Sequence, residues 1–449
     1  MNNIVKDIKN KKICIIGYGI SGKGAAELAL YLGAHIFISE NNIIDKTDDL
    51  IQKVSFEDGG HTSKCYNCDI AIISPGIDAN HSFFNEFKKK EIPLVSEIEF
   101  ASWFSNATII GITGSNGKST TVSLLHEILI KKYKKTYLGG NIGTPFSLNV
   151  IKEINNNNNS QDTIHILEIS SFQLEKIYDF KPKIACILNL SNDHLDRYDS
   201  IEKYYNTKKN IFKNMDKNCY FLYNRDNRKL YNSNEFNQTN IICFNSKEIF
   251  HLNNNVIINK KTNKEILNRN KIELIGEHNI ENILSAITIA EIMQIKHTDI
   301  QNSIYNFRAL PHRMENFLTR NGITFINDSK ATNPDSTIRA ILCSKKDTIL
   351  ILGGYAKGKI NYKEIFNIQF SNIKHIICYG DEGKVIYQQI KEKFKCSYIK
   401  DFKEATVCAI KLSKSNDRVL LSPACSSFDQ FNNFEDRGNT FKTIIRNYF

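Results

Sequence analysis

A glycine-rich turn that directly follows an apolar run constrains this 449-residue chain more than any other feature. Residues 107–112 lead into Thr113-Gly114-Ser115-Asn116-Gly117-Lys118-Ser119-Thr120. In such a turn the glycines expose backbone N–H groups, the lysine meets phosphate charge, and the serine hydroxyl can ligate Mg²⁺. Ile112 stands where the usual Walker pattern has its first glycine, so a tight strand–helix turn with a fortuitous lysine is the alternative. The order of strand, turn and helix favours an α/β fold that binds ATP.

The basic composition leaves two kinds of partner open, nucleic acid and an acidic small molecule. Lysine and arginine number 59 against 48 acidic residues, which gives a formal net charge of +11. Such an excess suits either kind of partner. The densest basic clusters, residues 88–90 and 131–135, fall where helices are expected to end, and the helix dipole favours cations there. The sequence has no basic strand with interleaved aromatic residues, so we expect no nucleic-acid partner.

The cysteines and the N-terminus indicate the compartment. The 11 cysteines are scattered, and several lie inside apolar runs, as in proteins of a reducing compartment. The single pair Cys65-Tyr66-Asn67-Cys68 could serve zinc or redox chemistry, but without a second such pair two ordinary thiols are favoured. Residues 1–12 are polar and basic, and no stretch reaches the length of a membrane span. We expect a cytoplasmic protein without membrane insertion.

Strands and helices alternate through three successive blocks, a pattern that favours parallel sheets covered by helices. Examples are a helix over residues 25–32, a strand over 184–190 and a helix over 384–394. The length also suits about three domains. We predict an α/β protein with a Rossmann-like N-terminal domain (1–103), a central P-loop ATPase-type parallel sheet (104–308) and a C-terminal Rossmann-like α/β domain (309–449).

A second phosphate-binding pattern lies in the first block. Gly17-x-Gly19-x-x-Gly22 opens a helix, and Glu40 ends the next strand at about the expected distance. This arrangement predicts a pyrophosphate at a helix N-terminus and a carboxylate on a ribose hydroxyl. A nicotinamide dinucleotide and a nucleotide-sugar diphosphate both fit it.

Metal-binding side chains follow two strands of the central block. Glu168 ends one expected strand, and Asp193-His194 follows the next. Because the carboxyl ends of parallel strands meet at one edge of a sheet, we expect Glu168, His194 and the phosphate loop to face one crevice. A carboxylate and the hydroxyl of Ser119 are ligands that suit Mg²⁺.

Polar side chains also cluster later in the chain. Asn279 and Asn282 share one helix face, where they can contact an adenine edge or cap the helix. In the third block, donor groups concentrate in residues 311–313, 328–333 and 422–431. Lysines and hydroxyls in these segments suit a substrate that carries a carboxylate.

Taken together, these motifs closely resemble those of the ATP-dependent Mur ligases, over residues 17–441. The segment Thr113–Ser119 is shared by all such ligases and by folylpolyglutamate synthetases. Similarity to the D-glutamate-adding branch lies in residues 168–175, 327–333 and 422–431, together with 74–77 and 140–143. The resemblance implies ATP-dependent amide ligation in cytoplasmic peptidoglycan precursor synthesis, by a monomer that uses ATP, Mg²⁺, UDP-N-acetylmuramoyl-L-alanine and D-glutamate.

The resemblance also implies roles for individual residues. Those on the UDP substrate would be Ile20, Ser21, Glu40, Ser74, Pro75, Gly76, Asn141 and His194. Those on ATP would be Gly114, Asn116, Gly117, Lys118, Ser119, Thr120, Asn279, Asn282, Arg313 and Asp328. Those on D-glutamate would be Lys330, Thr332, Lys357, Ser427 and Phe434. Ligands of two Mg²⁺ ions would be Ser119, Glu168, His194 and a carbamylated Lys208. Catalytic roles would fall to Lys118, Lys208, His194 and Lys330.

Two alternatives remain open. Lys209 competes with Lys208 for the carbamylated position, although Ile211 in register with the family pattern favours Lys208. A nicotinamide-binding oxidoreductase that uses residues 17–22, or a nucleotide-dependent binding switch, would also explain part of the pattern. ATP turnover that requires both an acceptor and D-glutamate distinguishes the ligase from both.

Overall fold

The structure is a computed structural model that describes residues 7–78, 81–156, 162–193, 197–225, 239–244, 250–253, 256–259, 264–274, 276–343, 346–356, 362–366 and 371–449. The chain divides into two compact units. The first takes in Met1–Leu190, Glu202–Leu267 and Asn282–Ile304, and the second takes in Ser191–Ile201, Asn268–Glu281 and Tyr305–Phe449. In the described ranges no helix is long and apolar enough to span a membrane.

The first unit begins with a five-stranded parallel sheet of order β3-β2-β1-β4-β5. Its strands are β1 (Lys12–Ile16), β2 (His35–Ser39), β3 (Ser55–Glu57), β4 (Ile70–Ile73) and β5 (Leu94–Ser96). Its helices are α1 (Ile20–Tyr31), α2 (Asn85–Lys89) and α3 (Glu97–Ser102). The strand order reverses at β1, so the crevice of this sheet lies at the carboxyl ends of β1 and β4.

A second sheet, of six parallel strands, has the order β11-β10-β9-β6-β8-β7. Its strands are β6 (Thr108–Thr113), β7 (Lys135–Gly140), β8 (Thr163–Glu168), β9 (Ile184–Ile187), β10 (Tyr220–Asn224) and β11 (Asn240–Phe244). Helices of this region are α4 (Lys118–Leu129), α5 (Phe146–Asn155), α6 (Ile201–Lys209), α7 (Glu277–Ile292) and α8 (His297–Asn306). A small sheet comprises β12 (Phe250–Asn253), β13 (Val256–Asn259) and β14 (Lys264–Asn268). The central strand β6 is buried over most of its length, which fixes the loop that follows it.

The second unit holds a six-stranded sheet of order β15-β16-β20-β17-β18-β19, parallel except for the edge strand β15. Its strands are β15 (Glu315–Arg320), β16 (Ile323–Asn327), β17 (Thr348–Gly353), β18 (Ile373–Tyr379), β19 (Cys396–Ile399) and β20 (Arg418–Ala424). Its helices are α9 (Pro334–Leu342), α10 (Gly380–Ile390), α11 (Phe402–Leu412) and α12 (Phe434–Tyr448). Apolar side chains cover both faces, as expected for a parallel sheet between helices.

The predicted α/β architecture of parallel sheets with helices is confirmed, but two helix starts were wrong. Helix α1 begins at Ile20 rather than at residue 25, and α10 begins at Gly380 rather than at residue 384. Glycine lowers helix propensity, which hid these first turns. The structure needs those glycines for close packing, because a Cβ at Gly22 would overlap the carbonyl of Gly17 and one at Gly383 would lie 3.0 Å from the backbone of Cys378.

The strand predicted over residues 184–190 is shorter than expected. Strand β9 ends at Ile187. Beyond it, the carbonyl of Asn189 accepts from the N–H of Ser115 at 3.0 Å. The backbone therefore leaves the regular ladder to bind the phosphate loop.

Candidate active site

The loop between β6 and α4 has the geometry of a phosphate cradle. Gly114 and Gly117 have φ of +152° and +86°, values that favour glycine. Helix α4 has no side-chain cap. The N-terminus of a helix favours an anion. The Lys118 ammonium donates to the carbonyls of Gly114 and Ser115 at 2.7 and 3.0 Å, which holds it across the loop.

Two asparagines brace this loop. The Asn189 side chain accepts from the N–H of Asn116 at 2.8 Å and donates to its carbonyl at 3.0 Å. The Asn282 side chain lies against the other side, where a Cβ on Gly117 would overlap its Oδ1. No role was predicted for Asn189, because its partner is 73 residues away in the sequence.

Glu168 ends β8 beside the phosphate loop. Its register partner on β6 is Ile112, one residue before that strand ends and the loop begins. The carboxylate is buried, and its Oε1 accepts from Asn141 Nδ2 at 2.9 Å. The backbone N–H of Asn141 also donates to the Glu168 carbonyl at 2.8 Å. Two predicted site residues therefore meet at the edge of the second sheet, and the amide fixes the orientation of the acid.

Helix α6 directs a lysine towards the same loop. Lys208 is 2% exposed, whereas Lys209 is half-buried. The Lys208 ammonium donates to the Gly114 carbonyl at 3.1 Å and lies 4.7 Å from the centre of the Tyr204 ring. The Tyr204 hydroxyl is 3.2 Å from the Ser115 hydroxyl. Of the two lysines left open by the sequence, Lys208 contacts the loop through this hydrogen bond.

The residues at this edge fit Mg²⁺. Ser119 supplies a buried hydroxyl in the first turn of α4, and Glu168 supplies a carboxylate on the neighbouring strand. Both are hard oxygen ligands of the kind Mg²⁺ prefers. His194, the predicted ligand of a second ion, lies outside the described residues.

The crevice of the first sheet contains the other predicted phosphate site. The Ser74 hydroxyl donates to the Gly17 carbonyl at 2.8 Å, which joins the ends of β1 and β4. Ile20 is 76% exposed at the start of α1, and an exposed apolar side chain here offers a surface for a ligand. Ser21 and Pro75 are half-buried and Gly76 is exposed in the same two turns.

Glu40 is held at this crevice as an anion. Its Oε2 accepts from the N–H of Tyr18 at 2.6 Å, and its Oε1 accepts from the N–H of Asn42 at 2.9 Å. Burial acts to raise the pKa of Glu40, but these backbone donors, with Asn41, hold the pKa below its usual value. An ionised carboxylate with free lone pairs suits a ribose or base donor.

In the second unit, Asp328 follows β16. Its carboxylate accepts from the N–H of Met314 at 3.1 Å and from the Ser422 hydroxyl at 2.9 Å. Burial raises the pKa of Asp328 to about 7, while these hydrogen bonds and the charge of Arg313 lower it. The predicted partners Arg313 and Asp328 are thus close enough to interact electrostatically.

The predicted amino-acid-binding residues also gather in the second unit. The Lys330 ammonium lies 4.8 Å from the centre of the Phe434 ring, a cation–π contact. Thr332 is half-buried two residues after Lys330, and Ser427 is 2% exposed after β20. Lys357, the remaining member of the predicted set, lies outside the described residues.

Arg437 joins the two loops that carry these residues. Its guanidinium is fully buried and donates to the Ser329 hydroxyl at 2.9 Å and carbonyl at 2.7 Å. It also donates to the carbonyls of Cys425 and Ser426, each at 3.1 Å, and to the Tyr379 hydroxyl at 3.1 Å. One side chain therefore fixes the ends of β16 and β20. Sequence reasoning missed it because Ser329 is 108 residues away.

We predict that Arg437→Lys lowers the free energy of unfolding by roughly 3 kcal/mol, because a lysine cannot reproduce the fork of donors and leaves buried carbonyls unpaired. Arg446→Lys, on the exposed face of the same helix, should change it by less than about 0.5 kcal/mol. Chemical denaturation of both variants provides the comparison. Equal free energies of unfolding for the two variants would show that Arg437 does not hold the ends of β16 and β20 together.

The remaining predicted residues have simpler environments. Asn279 and Asn282 are both buried on α7, one turn apart. Cys65 is buried and Cys68 half-buried, and both are free thiols. Within the ranges that the structure describes, no three His, Cys, Asp or Glu side chains are grouped to hold a metal ion.

Comparison with known proteins relates this arrangement to one family. Three family models match successive parts of the chain: the MurD N-terminal domain at residues 12–83, the Mur ligase middle domain at 112–290 and the glutamate ligase domain of Mur ligases at 312–425. They cover the three regions that carry the sites described above.

Individual proteins agree with these matches. The chain is 37% identical to the UDP-N-acetylmuramoylalanine–D-glutamate ligase of Christiangramia forsetii, over 97% of this chain and 99% of that protein. It is 35% identical to the enzyme of that name from Clostridioides difficile, over 98% and 99%. A solved structure, UDP-N-acetylmuramate-alanine ligase from Thermotoga maritima, shares the fold with a TM-score of 0.60 at 16% identity, over 98% of this chain and 100% of that one.

Proposed function

The chain belongs to the Mur ligase family, and on that premise we propose that it joins D-glutamate to UDP-N-acetylmuramoyl-L-alanine, with cleavage of ATP to ADP and phosphate. The observation that carries this proposal is the convergence of the phosphate loop, Glu168 and Lys208 at one edge of the second sheet. The substrates are inferred from the names of the similar enzymes. The product is an intermediate of peptidoglycan synthesis.

The reaction has two chemical steps. The alanyl carboxylate of the acceptor attacks the γ-phosphorus of ATP, the bond to the β–γ bridging oxygen breaks, and ADP leaves. The amine of D-glutamate then attacks the acyl phosphate carbon, an amide forms, and inorganic phosphate leaves with loss of the amine proton. Lys118 and the N–H groups at the start of α4 neutralise charge that builds on the transferring phosphoryl group.

Ser119, Glu168 and, from the undescribed segment, His194 are the protein groups that would hold Mg²⁺. When bound, the metal offsets phosphate charge and favours in-line transfer. We assign Lys208 as a carbamate, because this modification turns a cation into an anionic oxygen ligand next to hard cations. Asn141 keeps the Glu168 carboxylate in place at 2.9 Å.

Substrates are divided among the three sheets. The crevice at Gly17, Ser74 and Glu40 takes the UDP group, with Ile20, Ser21, Pro75 and Gly76 around it. We assign Asn141 and His194 to the muramoyl arm. We also assign to ATP the residues Gly114, Asn116, Gly117, Thr120, Asn279, Asn282, Arg313 and Asp328. Lys330, Thr332, Lys357, Ser427 and Phe434 receive D-glutamate. The corresponding domains are residues 1–103, 104–308 and 309–449, in a cytoplasmic monomer.

The first sheet should bind the UDP substrate and not NADH. Its glycine turn fits either ligand, but the phosphate loop of the second sheet and family membership call for a UDP-sugar. Isothermal titration should give binding of UDP-N-acetylmuramoyl-L-alanine and no detectable heat with NADH. Tight NADH binding, with none of the UDP substrate, would restore the oxidoreductase interpretation.

The choice among amino-acid substrates tests the assignment of D-glutamate. Lys330 and Ser427 offer donors for the carboxylates of a small acidic amino acid, whereas the extra ammonium of L-lysine or meso-diaminopimelate would face Lys330 without an anion. A panel of amino acids in a phosphate-release assay should therefore show turnover with D-glutamate alone. Efficient use of meso-diaminopimelate would contradict this assignment and indicate a Mur ligase that adds a different amino acid.

A further inference from the structure

Helix α3 carries two buried carboxylates out of the first sheet and into the region of the second. Glu97 is 1% exposed and Glu99 is fully buried, although both are acids. Buried carboxylates are costly unless hydrogen bonds satisfy them. The hydrogen-bond donors to Glu97 and Glu99 therefore show which segments of the second sheet's region are held by α3.

Glu97 caps a helix of the second sheet. Its Oε1 accepts from the N–H of Ser147 at 2.6 Å and from the Ser147 hydroxyl at 2.7 Å. Helix α5 begins one residue earlier at Phe146, after Pro145, and it has neither a side-chain cap of its own nor an acid in its first turn. Glu97 thus provides, from 50 residues away, the acceptor oxygen that a capping side chain supplies at a helix N-terminus.

Four residues connect this capped helix end to Asn141. The N–H of Gly140 donates to the Thr144 carbonyl at 3.2 Å, which closes the turn. Gly140 and Gly143 have φ of +96° and +69°. Asn141 at the apex of the turn donates to Glu168 through both its backbone and its side chain. A shift of the α5 start would therefore move Asn141.

The packing around the turn leaves little room for such a shift to be absorbed. A Cβ on Gly139 would lie 2.5 Å from the Thr144 carbonyl oxygen, and one on Gly24 would lie 2.7 Å from the Cβ of Pro145. Helix α1 thus presses on the residue before α5. Close-packed elements transmit displacements instead of deforming locally.

We propose that Glu97 is a positioning residue for the ligation: by capping α5 it sets the turn that presents Asn141 to the acceptor substrate. This inference rests on the proposed function, since it takes the acceptor to bind along Asn141. Glu97, on helix α3 after the first sheet, then determines how the turn at Asn141 in the second sheet contacts the UDP substrate.

The energetics of Glu97 support a role beyond packing. Its Oε2 has no hydrogen-bond partner among the described residues. Burial raises the pKa of Glu97 to about 7, although the two donors of Ser147 lower it. The ionised form is therefore disfavoured at this position, and a neutral amide that keeps the acceptor oxygen should serve the cap.

Glu99 provides a matched control on the same helix. Its carboxylate accepts from the N–H groups of Tyr178, Asp179 and Phe180 at 3.0, 2.8 and 2.9 Å, and from Trp103 Nε1 at 2.9 Å. None of these donors belongs to the turn of Asn141 or to the phosphate loop. Glu99 is therefore a structural anchor whose loss should lower stability without changing acceptor binding.

The experiment measures KM for each substrate and kcat in Glu97→Ala, Glu97→Gln, Ser147→Ala and Glu99→Gln, together with the Kd of UDP-N-acetylmuramoyl-L-alanine by titration. Glu97→Ala should raise the acceptor KM and Kd by about tenfold or more, with the KM of ATP within about threefold of wild type. Glu97→Gln should keep the KM of the UDP substrate within about threefold of wild type, because glutamine retains an oxygen that accepts the hydrogen bonds of Ser147. Glu99→Gln should lower the melting temperature and leave the acceptor KM unchanged.

An unchanged acceptor KM in folded Glu97→Ala, a parallel rise in the KM of ATP, or failure of Glu97→Gln to restore binding would each overturn the proposal. If Glu97→Ala does not fold, Ser147→Ala decides, with an expected rise of about twofold to fivefold against no change. If the wild-type enzyme turns over normally and the Glu97 and Ser147 variants match it, the role of Glu97 is refuted while the proposed function stands. A wild-type enzyme that neither binds nor uses the UDP substrate refutes the proposed function as well.

Discussion

Replacement of Lys118 by alanine is expected to lower phosphate release by about a thousandfold while the protein stays folded. The ammonium lies across the phosphate loop on the carbonyls of Gly114 and Ser115, where it meets charge that develops on the transferring phosphoryl group. It is not part of an apolar core, so its loss should leave the melting temperature nearly unchanged. Steady-state phosphate release and a thermal melt on the same preparation measure both effects.

Lys131→Ala is the matched control, because this lysine is exposed just beyond the other end of α4. It should turn over at the wild-type rate. Lys118→Ala activity close to that of Lys131→Ala would mean that the loop does not hold the transferring phosphate.

Local sequence patterns predicted the parts of the site that depend on neighbouring residues. The phosphate loop follows a buried strand, and the glycine turn at Gly17 opens α1, as the residue order indicates. Likewise, the end of β8 places Glu168 beside the loop because parallel strands share an edge. Each of these predictions needed only a strand, a turn and the rule for parallel sheets.

Residues that support the site from a distance could not be predicted in this way. Asn189 braces the phosphate loop across 73 residues, Glu97 caps α5 across 50, and Arg437 joins two strand ends across 108. Their side chains have no local signature, because an asparagine after a strand or an arginine in a helix is usually on the surface. Only the folded chain brings their partners together.

Helix boundaries show the same limit. Gly22 and Gly383 weaken the helix signal locally, yet close packing against backbone requires them, so α1 and α10 extend over turns that propensity alone rejects. The antiparallel edge strand β15 and strand β7 were also not predicted. Tertiary pairing, rather than composition, determines such edges.

Replacement of Lys208 should have the second large effect. Next to bound Mg²⁺ an ordinary ammonium would be repelled, whereas a carbamate would serve as an anionic ligand. Lys208 is buried against Tyr204 and the loop carbonyl of Gly114, so it cannot turn to solvent without leaving its contacts. Lys208→Ala should therefore reduce turnover by roughly a hundredfold or more.

Chemical rescue separates the carbamate from a plain lysine. A short carboxylic acid at high concentration should recover part of the Lys208→Ala activity, because it can occupy the position of the missing ligand. Lys209→Ala, which removes the neighbouring half-buried lysine, should remain active. Wild-type activity in Lys208→Ala would refute the assignment of a carbamate to Lys208. If Lys209→Ala instead lost activity and the carboxylic acid restored it, the carbamate would be assigned to Lys209.

The most direct test of the ligase assignment is the substrate dependence of phosphate release from ATP by the wild-type protein with Mg²⁺. Release should be fast only when UDP-N-acetylmuramoyl-L-alanine and D-glutamate are both present, with one ADP and one amide product formed for each phosphate. Release at the same rate without D-glutamate, or without the UDP substrate, would contradict the assignment and leave a nucleotide hydrolase or switch in its place.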